Sequence, residues 1–232
     1  MTDVVTYHLD NRVATIAISN GKVNALSHAV FDGLNDALDQ AENDEAVVVL
    51  TGQAGIFSAG YDLKEMKAGV DAATHLVRKG STFCRRLLSF PTPIIAACSG
   101  HAIAKGAFIL LASDLRLGAQ GAFKVSLNEV AIGMTMHHAG IELARNRLTP
   151  ACFQRSVVNA EMFSPETAVQ AGFLDILVPA DQLLASARNE AARMADTLDM
   201  RAHAQTKLKA RADYLNLLNE AIEKDADAGM SF

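Results

Sequence analysis

Small residues surround one lysine in the segment GHAIAKGAFILLASD, which runs from Gly100 to Asp114. Small side chains let a backbone approach another group closely, and the apolar run after Lys105 is typical of a buried helix. The first amides of a helix have no acceptors within the helix, and they attract negative charge. We therefore interpret the segment as a tight turn that opens a buried helix and presents its backbone amides.

Glu129 stands among apolar neighbours in the segment LNEVAIGM. A glutamate at such a place is ordinarily a surface residue of a loop. If the segment lines a pocket, however, burial raises the pKa of the carboxyl group, and a pKa near neutrality suits a general base. From the local sequence alone, Glu129 is thus either a surface residue of a loop or, in a buried segment, a carboxyl group suited to act as a base.

Two adjacent histidines, His137 and His138, follow this segment. Adjacent side chains diverge, and no cysteine or histidine stands at the spacing of a ligand set, so we expect no metal site. A proton-handling or water-holding role for His137 stays open. Cys84, Cys98 and Cys152 lack a CxxC spacing, which favours reduced thiols in a cytosolic protein.

Strands alternate with helices along the chain, which predicts an α/β fold. VVTYHLD and VATIAIS predict a hairpin, and AVVVLTG and PTPIIAACSG predict buried strands. Ser27 is expected to cap a helix that runs to Glu42. Gly52 begins a loop through IFSAGYDL, and a helix is expected from Ala72 to Leu88.

The second half of the chain has clearer helix boundaries. DLRLGA and AFKVS are interpreted as a further strand pair, and FLDILVP as a short strand. Thr149 and Ser164 each precede a proline and are expected to cap helices, the second of which ends at Gly172. Asp181 is expected to cap the next helix, after which the chain is helical. The apolar stripe expected on its last part comprises Leu215, Leu217, Leu218 and Ile222.

The composition excludes several classes of function. The chain has 232 residues, of which 50% are hydrophobic, so it can bury a large core. Its net charge is −5 and its basic residues form no run, so no nucleic-acid partner is expected. Its apolar stretches are far shorter than the roughly 20 residues that span a bilayer, and MTDVVTYHLD has no signal-peptide features. We therefore expect a cytoplasmic protein without a membrane partner.

Three segments in this order and spacing resemble the crotonase superfamily of enoyl-CoA hydratases and isomerases: FSAGYDLKEM, SGHAIAKGAFILLASD and LNEVAIGM. With KVNALS upstream and FSPETAVQAGFLDILVP downstream, the resemblance spans residues 3–225. It implies an α/β crotonase-like spiral of ββα repeats over residues 1–180 and a helical C-terminal trimerisation region over residues 181–232. It also implies an acyl-CoA thioester as substrate, no redox or other cofactor, and a homotrimer or dimer of trimers.

The resemblance assigns the thioester carbonyl to two backbone amides, those of Tyr61 and Lys105, because preorganised donors stabilise a developing enolate oxygen. The family usually has glycine where Lys105 stands, so this donor is retained only if the φ angle of Lys105 is negative. We expect the Lys105 side chain to be solvated or at an interface rather than catalytic. The substrate and CoA contacts that the resemblance implies are Lys22, Val23, Ala25, Ala59, Gly60, Asp62, Leu63, Gly106 and Phe108, with Lys64 a further candidate for a phosphate.

Hydratases of the family hold the attacking water with two glutamates, and the corresponding positions here are Phe108 and Glu129. This one-glutamate pattern is similar to that of Δ3,Δ2-enoyl-CoA isomerases, in which one base moves a proton from C2 to C4 and no water is needed. Phe108 is either an ordinary core residue or part of the pocket. Two alternatives stay open: a hydratase that uses Glu129 alone, with a histidine orienting the water, and an acyl-CoA-binding homologue without catalytic activity.

Overall fold

The computed structural model describes residues 4–229. Its strands are β1 (Val5–Asp10), β2 (Val13–Ile18), β3 (Val47–Thr51), β4 (Gly55–Ser58), β5 (Ile94–Cys98), β6 (Gly100–Ile103), β7 (Leu115–Ala119), β8 (Val125–Ser126) and β9 (Ile176–Val178). Its helices are α1 (His28–Asn43), α2 (Leu63–Met66), α3 (Val70–Ser89), α4 (Lys105–Leu111), α5 (His138–Arg147), α6 (Pro150–Val157), α7 (Pro165–Ala171), α8 (Leu183–Thr197), α9 (Met200–Ala210) and α10 (Ala212–Ala228). The predicted region 1–180 begins before the first described residue, and the predicted region 181–232 ends after the last one.

The strands form two sheets, and from β3 to β8 successive strands alternate between them. A six-stranded sheet has the order β1-β2-β3-β5-β7-β9, and a three-stranded sheet has the order β4-β6-β8. Each of three successive chain segments adds one strand to the large sheet, the next strand to the small sheet, and then a helix: β3-β4 with α3, β5-β6 with α4, and β7-β8 with α5. All the pairings in these segments are parallel. The expected spiral of ββα repeats is therefore confirmed.

The first elements agree with their local sequence signals. β1 and β2 form an antiparallel hairpin that ends at the pair Asp10 and Val13, with Asn11 at positive φ in the turn. Ser27 caps α1, because its hydroxyl accepts a hydrogen bond from the amide of Val30 at 3.2 Å. The predicted hairpin and helix cap are confirmed.

β3 is buried on both faces because two layers pack against the large sheet. Val48 and Leu50 belong to the main core, which lies between the sheets and the helices. Val47 and Val49 face the other way and pack in a second cluster with α8, which contributes Ala187 and other small residues. An uninterrupted apolar strand is the pattern expected for this two-sided burial.

Two sequence interpretations of the strands are wrong. The predicted loop after Gly52 contains β4, which adds to the small sheet through β6. DLRLGA and AFKVS form β7 and β8, but these strands do not pair: β7 lies between β5 and β9, and β8 pairs with β6. Both errors have one cause, since each partner strand is distant in the chain and a local pattern does not indicate it.

Three details of the later helices also need correction. The Thr149 side chain makes no capping bond, although its carbonyl accepts the amides of the first turn of α6. Asp181 lies inside a 3-10 turn, so α8 begins after Gln182. Leu217 is 52% exposed, since it is two residues from Leu215 and therefore about 200° around the helix. By contrast, the predicted cap at Ser164 and helix end at Gly172 are confirmed.

The C-terminal helices pack closely on the repeats. α10 lies against α3 and α5, and Asp225 accepts hydrogen bonds from the amides of His138 and Ala139 at the start of α5. The three cysteines are free and buried. Between residues 4 and 229, no helix is long and apolar enough to cross a bilayer.

Candidate active site

A cavity of about 170 Å³ lies between the loop after β4, the start of α4 and the segment from Asn128 to His137. We name it the Glu129 cavity. Its polar side chains include Asn128, Glu129 and His137, whereas its apolar walls are formed by Leu63, Met66, Val77, Ile132 and Met134. An apolar cavity with a few polar groups suits a ligand that has an apolar chain and one polar reacting centre.

Among residues 4–229, two backbone amides in or beside the wall of this cavity have no acceptor. Tyr61 lines the cavity, as does Ala104, the residue before Lys105. The neighbours of Tyr61 are engaged with Leu26, whose amide donates to Gly60 at 2.8 Å and whose carbonyl accepts from Asp62 at 3.0 Å. Among the hydrogen bonds of residues 4–229, the amides of Tyr61 and Lys105 donate to no acceptor. The absence of an acceptor for these two amides among the described residues agrees with the donor pair that the family resemblance implies.

Glycines allow the two loops that carry these amides to approach each other. Gly60 has a φ of +96°, and a Cβ there would lie 3.0 Å from the Cβ of Ala104 and 3.3 Å from the nitrogen of Lys105. A Cβ on Gly106 would lie 2.5 Å from the carbonyl oxygen of Ser58. The loop after β4 and the first turn of α4 therefore pack at a separation that a side chain at either position would prevent.

The backbone tolerates lysine at position 105 because the unusual conformation is one residue earlier. Ala104 has a φ of 49° and a ψ of −121°, while Lys105 is the first residue of α4 and is not among the residues with positive φ. Because the φ angle of Lys105 is not positive, the condition for retaining its amide as a donor is met. Alanine at positive φ costs on the order of 1 kcal/mol, and such strain is often found at functional sites.

Glu129 is a buried carboxyl group at the cavity wall. The residue is 6% exposed, and within residues 4–229 its Oε2 atom has no hydrogen-bond partner. Burial raises the pKa of Glu129 to about 7, although its own backbone amide and the Lys105 ammonium act in the opposite direction. The group is thus poised to gain and lose a proton near neutral pH.

His137 shares the cavity with Glu129 and is a neutral imidazole. It is 6% exposed, and its Nε2 atom has no hydrogen-bond partner among the residues that the structure describes. Burial lowers the pKa of His137 to about 3, and the positive charges of Lys105 and His138 add to this effect. His138 is exposed, so the two adjacent side chains diverge as expected. Among the described residues, no cluster of three or more histidines, cysteines or acidic residues is arranged to hold a metal ion.

The Lys105 side chain is buried, so the expectation of a solvated or interface position is wrong. It is 0% exposed and its Nζ atom lies 5.7 Å from the ring centroid of Tyr61 and 5.6 Å from that of Phe108. Gly80 of α3 provides space for it, because a Cβ there would lie 2.8 Å from the Cε atom of Lys105. The helix that begins at Lys105 is itself buried, and its first side chain extends into the core.

Phe108 lies behind the cavity wall. It is fully buried and packs between Lys105 and His137, but it does not line the Glu129 cavity. This placement favours the interpretation of Phe108 as a core residue over its interpretation as part of the pocket.

Residues 8–231, nearly the whole chain, match the enoyl-CoA hydratase/isomerase family. The chain belongs to this family. A crystal structure of an enoyl-CoA hydratase/isomerase family protein from Pseudomonas syringae is 56% identical, with a TM-score of 0.96 over 97% of this chain and 98% of that chain. An enoyl-CoA isomerase structure from Mycobacterium tuberculosis is 40% identical, with a TM-score of 0.93 over 98% of this chain and 99% of that chain.

Relatives in this family are named for two reactions. A probable enoyl-CoA hydratase of Bacillus subtilis is 31% identical over 178 residues, which are 75% of this chain and 69% of that protein. This member of the enoyl-CoA hydratase/isomerase family is thus an acyl-CoA enzyme, and the names of its relatives include both hydratase and isomerase.

The residues assigned to CoA in this hydratase/isomerase family member lie on two adjoining loops. Lys22 and Val23 are exposed, and the carbonyl of Val23 accepts the amide of Ala59 at 3.0 Å. Asp62 holds the start of α2, because its carboxylate accepts the amide of Lys64 at 2.8 Å. Two further members of this set are Ala25, which is half-buried, and Leu63, which is 59% exposed at the cavity.

Sequence analysis missed Asn24, which joins these loops. Asn24 is buried and has a φ of 49°. The side-chain amide of Asn24 donates to the backbone carbonyls of Ile18 and Phe57 at 3.0 and 3.2 Å. The backbone carbonyl of Asn24 accepts a hydrogen bond from the Ser58 hydroxyl at 2.8 Å. The one available signal was an asparagine in a loop, since asparagine tolerates positive φ and bonds to nearby backbone.

Proposed function

We propose that this enzyme catalyses Δ3,Δ2-enoyl-CoA isomerisation with Glu129 as its single base. One observation carries the proposal: among residues 4–229, Glu129 is the only carboxylate that lines the cavity, and the position that corresponds to a second glutamate is occupied by Phe108. One base is sufficient for a proton shift within the substrate, whereas water addition in this family uses two carboxylates.

The proton shift is balanced within the substrate. The Glu129 carboxylate removes a proton from C2, and the electron pair of that C–H bond delocalises into the thioester carbonyl and the C3–C4 double bond. The amides of Tyr61 and Lys105 donate to the resulting enolate oxygen. Protonated Glu129 then gives its proton to C4, the double bond forms between C2 and C3, and the carboxylate is restored. No cofactor other than the CoA thioester of the substrate takes part.

The cavity walls support an acyl group in this position. Met66, Val77 and Met134 are apolar and line the cavity together with Tyr61 and Glu129. Excluding water from such a cavity strengthens the electrostatic effect of the two amides. The loops that hold Lys22 and Ala59 would then bind the CoA portion.

A hydratase that uses Glu129 alone is the second candidate. The unpartnered Nε2 atom of His137 favours it, because a neutral imidazole in the same cavity is suited to orient a water molecule.

The test is to incubate the enzyme separately with a 3-enoyl-CoA and a 2-enoyl-CoA of the same chain length. Isomerisation is followed by the absorbance of the conjugated thioester and by chromatography of the products. Conversion of the 3-enoyl ester without 3-hydroxyacyl-CoA supports the proposal. Predominant hydration of the 2-enoyl ester would favour the second candidate, and saturable binding without turnover of either ester would indicate a non-catalytic binder.

Assembly as a homotrimer or dimer of trimers is part of the same proposal and is supported by the family resemblance. Light scattering coupled to size-exclusion chromatography measures the mass in solution. A monomeric mass at micromolar concentration would contradict it.

A further inference from the structure

The Lys105 ammonium is a buried charge that the proposed mechanism does not use. Its side chain is fully buried, and among the described residues its Nζ atom has no hydrogen-bond partner. The rings of Tyr61 and Phe108, at 5.7 and 5.6 Å, face it with favourable cation–π geometry. Such contacts offset only part of the free energy of desolvating an ammonium, which is several kcal/mol. A buried ammonium of this kind is expected to have a negative charge within reach.

Several titratable groups around Lys105 are neutral and cannot supply that charge. Cys84 of α3 is protonated, because burial raises the pKa of its thiol by more than the nearby Lys105 lowers it. The same holds for Tyr61, whose pKa is raised by burial and by the negative groups near it. His137 is neutral, and its neighbour His138 is exposed to solvent.

Two carboxyl groups remain, Asp225 of α10 and Glu129. Asp225 accepts two hydrogen bonds from the amides at the start of α5, at 2.7 and 2.9 Å, so its charge is already stabilised by a helix end. The Oε2 atom of Glu129 has no hydrogen-bond partner in the described part of the chain. Tyr61 and His137 line the cavity with Glu129, and the ring of Phe108 contacts both His137 and the Lys105 ammonium. The ring of Tyr61, which lies 5.7 Å from the Lys105 Nζ atom, is therefore part of the wall of the cavity that Glu129 also lines.

We propose that the Lys105 ammonium is the buried counter-charge of the Glu129 carboxylate and acts as a positioning residue for the reaction. As the base takes its proton, negative charge leaves Glu129 and appears on the thioester oxygen held by the amide of the same residue, Lys105. The ammonium then stabilises the enolate, so that one residue contributes a hydrogen bond from its backbone and a charge from its side chain. This second step rests on the proposed function, whereas the pairing with Glu129 does not.

The low polarity of the site makes such an interaction effective. Two opposite charges interact more strongly in a buried site than in water, even across a layer of side chains. In agreement with this, the positive charge of Lys105 lowers the pKa of Glu129 against the larger effect of burial.

The pairing is tested without substrate by following the Glu129 carboxyl carbon in the full-length, 13C-glutamate-labelled protein by NMR as pH is raised. The Glu129→Gln variant identifies the resonance. In the Lys105→Met variant, which keeps the side-chain length and removes the charge, the titration midpoint of Glu129 is expected to rise by about one pH unit. An unchanged midpoint in the folded variant would overturn the proposal. Lys105→Gln serves as a second variant if the methionine variant does not fold.

Lys207 provides a matched control, since it is also a buried lysine. Its Nζ atom donates to Asp114 at 2.6 Å and to the carbonyl of Thr92 at 3.3 Å, away from the Glu129 cavity. Lys207→Met is expected to lower the melting temperature but to leave the Glu129 midpoint unchanged. If Lys207→Met moves the midpoint as much as Lys105→Met does, the effect is a general result of removing a buried charge, and the pairing is refuted.

A kinetic measurement separates this proposal from the proposed function. If the wild-type enzyme isomerises 3-enoyl-CoA, Lys105→Met is expected to lower kcat about tenfold at pH 7 with little change in KM, and to move the pH midpoint of kcat/KM upward with the NMR midpoint. A shifted NMR midpoint in an enzyme without isomerase activity would preserve the pairing and refute isomerisation. Normal kcat in the folded variant would refute the role in catalysis.

Discussion

The ring of Phe108 packs edge-on against the imidazole of His137, with their centroids 5.4 Å apart and their planes at 77°. A Cβ on Gly140 would lie 2.8 Å from Phe108 and 2.7 Å from His137, so this glycine lets α5 approach the pair. The contact holds His137 against the cavity wall from behind. Phe108 thus acts on the cavity through the side chains that it supports.

Phe108→Glu is expected to increase hydration relative to isomerisation. The substitution restores a second carboxylate behind the cavity, close to His137 and to the Lys105 ammonium. Because it buries a polar group in a packed site, it also lowers stability by about 2 kcal/mol or more. The ratio of 3-hydroxyacyl-CoA to isomerised product is measured from one 3-enoyl substrate. Phe108→Gln is the control for shape and polarity, and an equal ratio in both folded variants would show that the missing carboxylate does not suppress hydration.

Glu129→Gln is expected to lower turnover at least ~100-fold while the fold and acyl-CoA affinity are retained. The amide has nearly the same shape but cannot accept the proton from C2. Turnover is measured with 3-enoyl-CoA, and affinity by calorimetry with a saturated acyl-CoA. Glu142→Gln, on the outer side of α5 beside Arg145, is a matched control and should remain active. Near-normal turnover of Glu129→Gln would show that another group is the base.

The pH dependence of kcat/KM is expected to rise with pH through about 7 and then level off. Burial raises the pKa of Glu129 to about 7, and a general base works in its deprotonated form, so activity is lost below that value. His137 has a pKa of about 3 and adds no second step near neutrality. Initial rates at low substrate concentration, with folding checked at each pH by circular dichroism, give the profile. A midpoint near the usual glutamate value of about 4.3 would contradict the burial of Glu129.

Gly60→Ala is expected to lower turnover about 100-fold, because it displaces an amide from the oxyanion site. The new Cβ would contact Ala104 at 3.0 Å at a backbone φ of +96°. Gly55→Ala is the matched control, since Gly55 has a φ of +83° but nothing lies within 4 Å of its Cβ position. Both variants are compared by thermal unfolding and by turnover. Equal losses of activity would show that backbone strain alone is responsible, without the close approach to the Lys105 turn.

Much of the fold is readable from neighbouring residues in the chain. The hairpin of β1 and β2, the Ser27 cap and the helix end at Gly172 each depend on side chains within a few residues of one another. The uninterrupted apolar run of β3 indicates burial on both faces, although it does not indicate which elements cover them. The spiral of ββα repeats, by contrast, is an expectation from the resemblance of three segments to a known family.

Pairing between distant strands is not readable in this way. β4 is a strand because Gly55 and Ile56 lie beside Gly100 and His101 of β6, and the separation of β7 from β8 depends on the same small sheet. The residues within β4 and β8 show few features that distinguish them from a loop.

At the active site, the sequence by itself determined which residue types are present: one candidate base at Glu129, a phenylalanine at position 108 and a lysine after Ala104. Only the tertiary structure decided that Glu129 is buried, that Ala104 takes the positive φ, and that the Lys105 ammonium lies in the core beside Gly80. The physical reason is that burial and electrostatic environment are properties of neighbours in space. α3 passes over the first turn of α4 without a side chain at Gly80, and this packing places a charge where local sequence favours a solvated one.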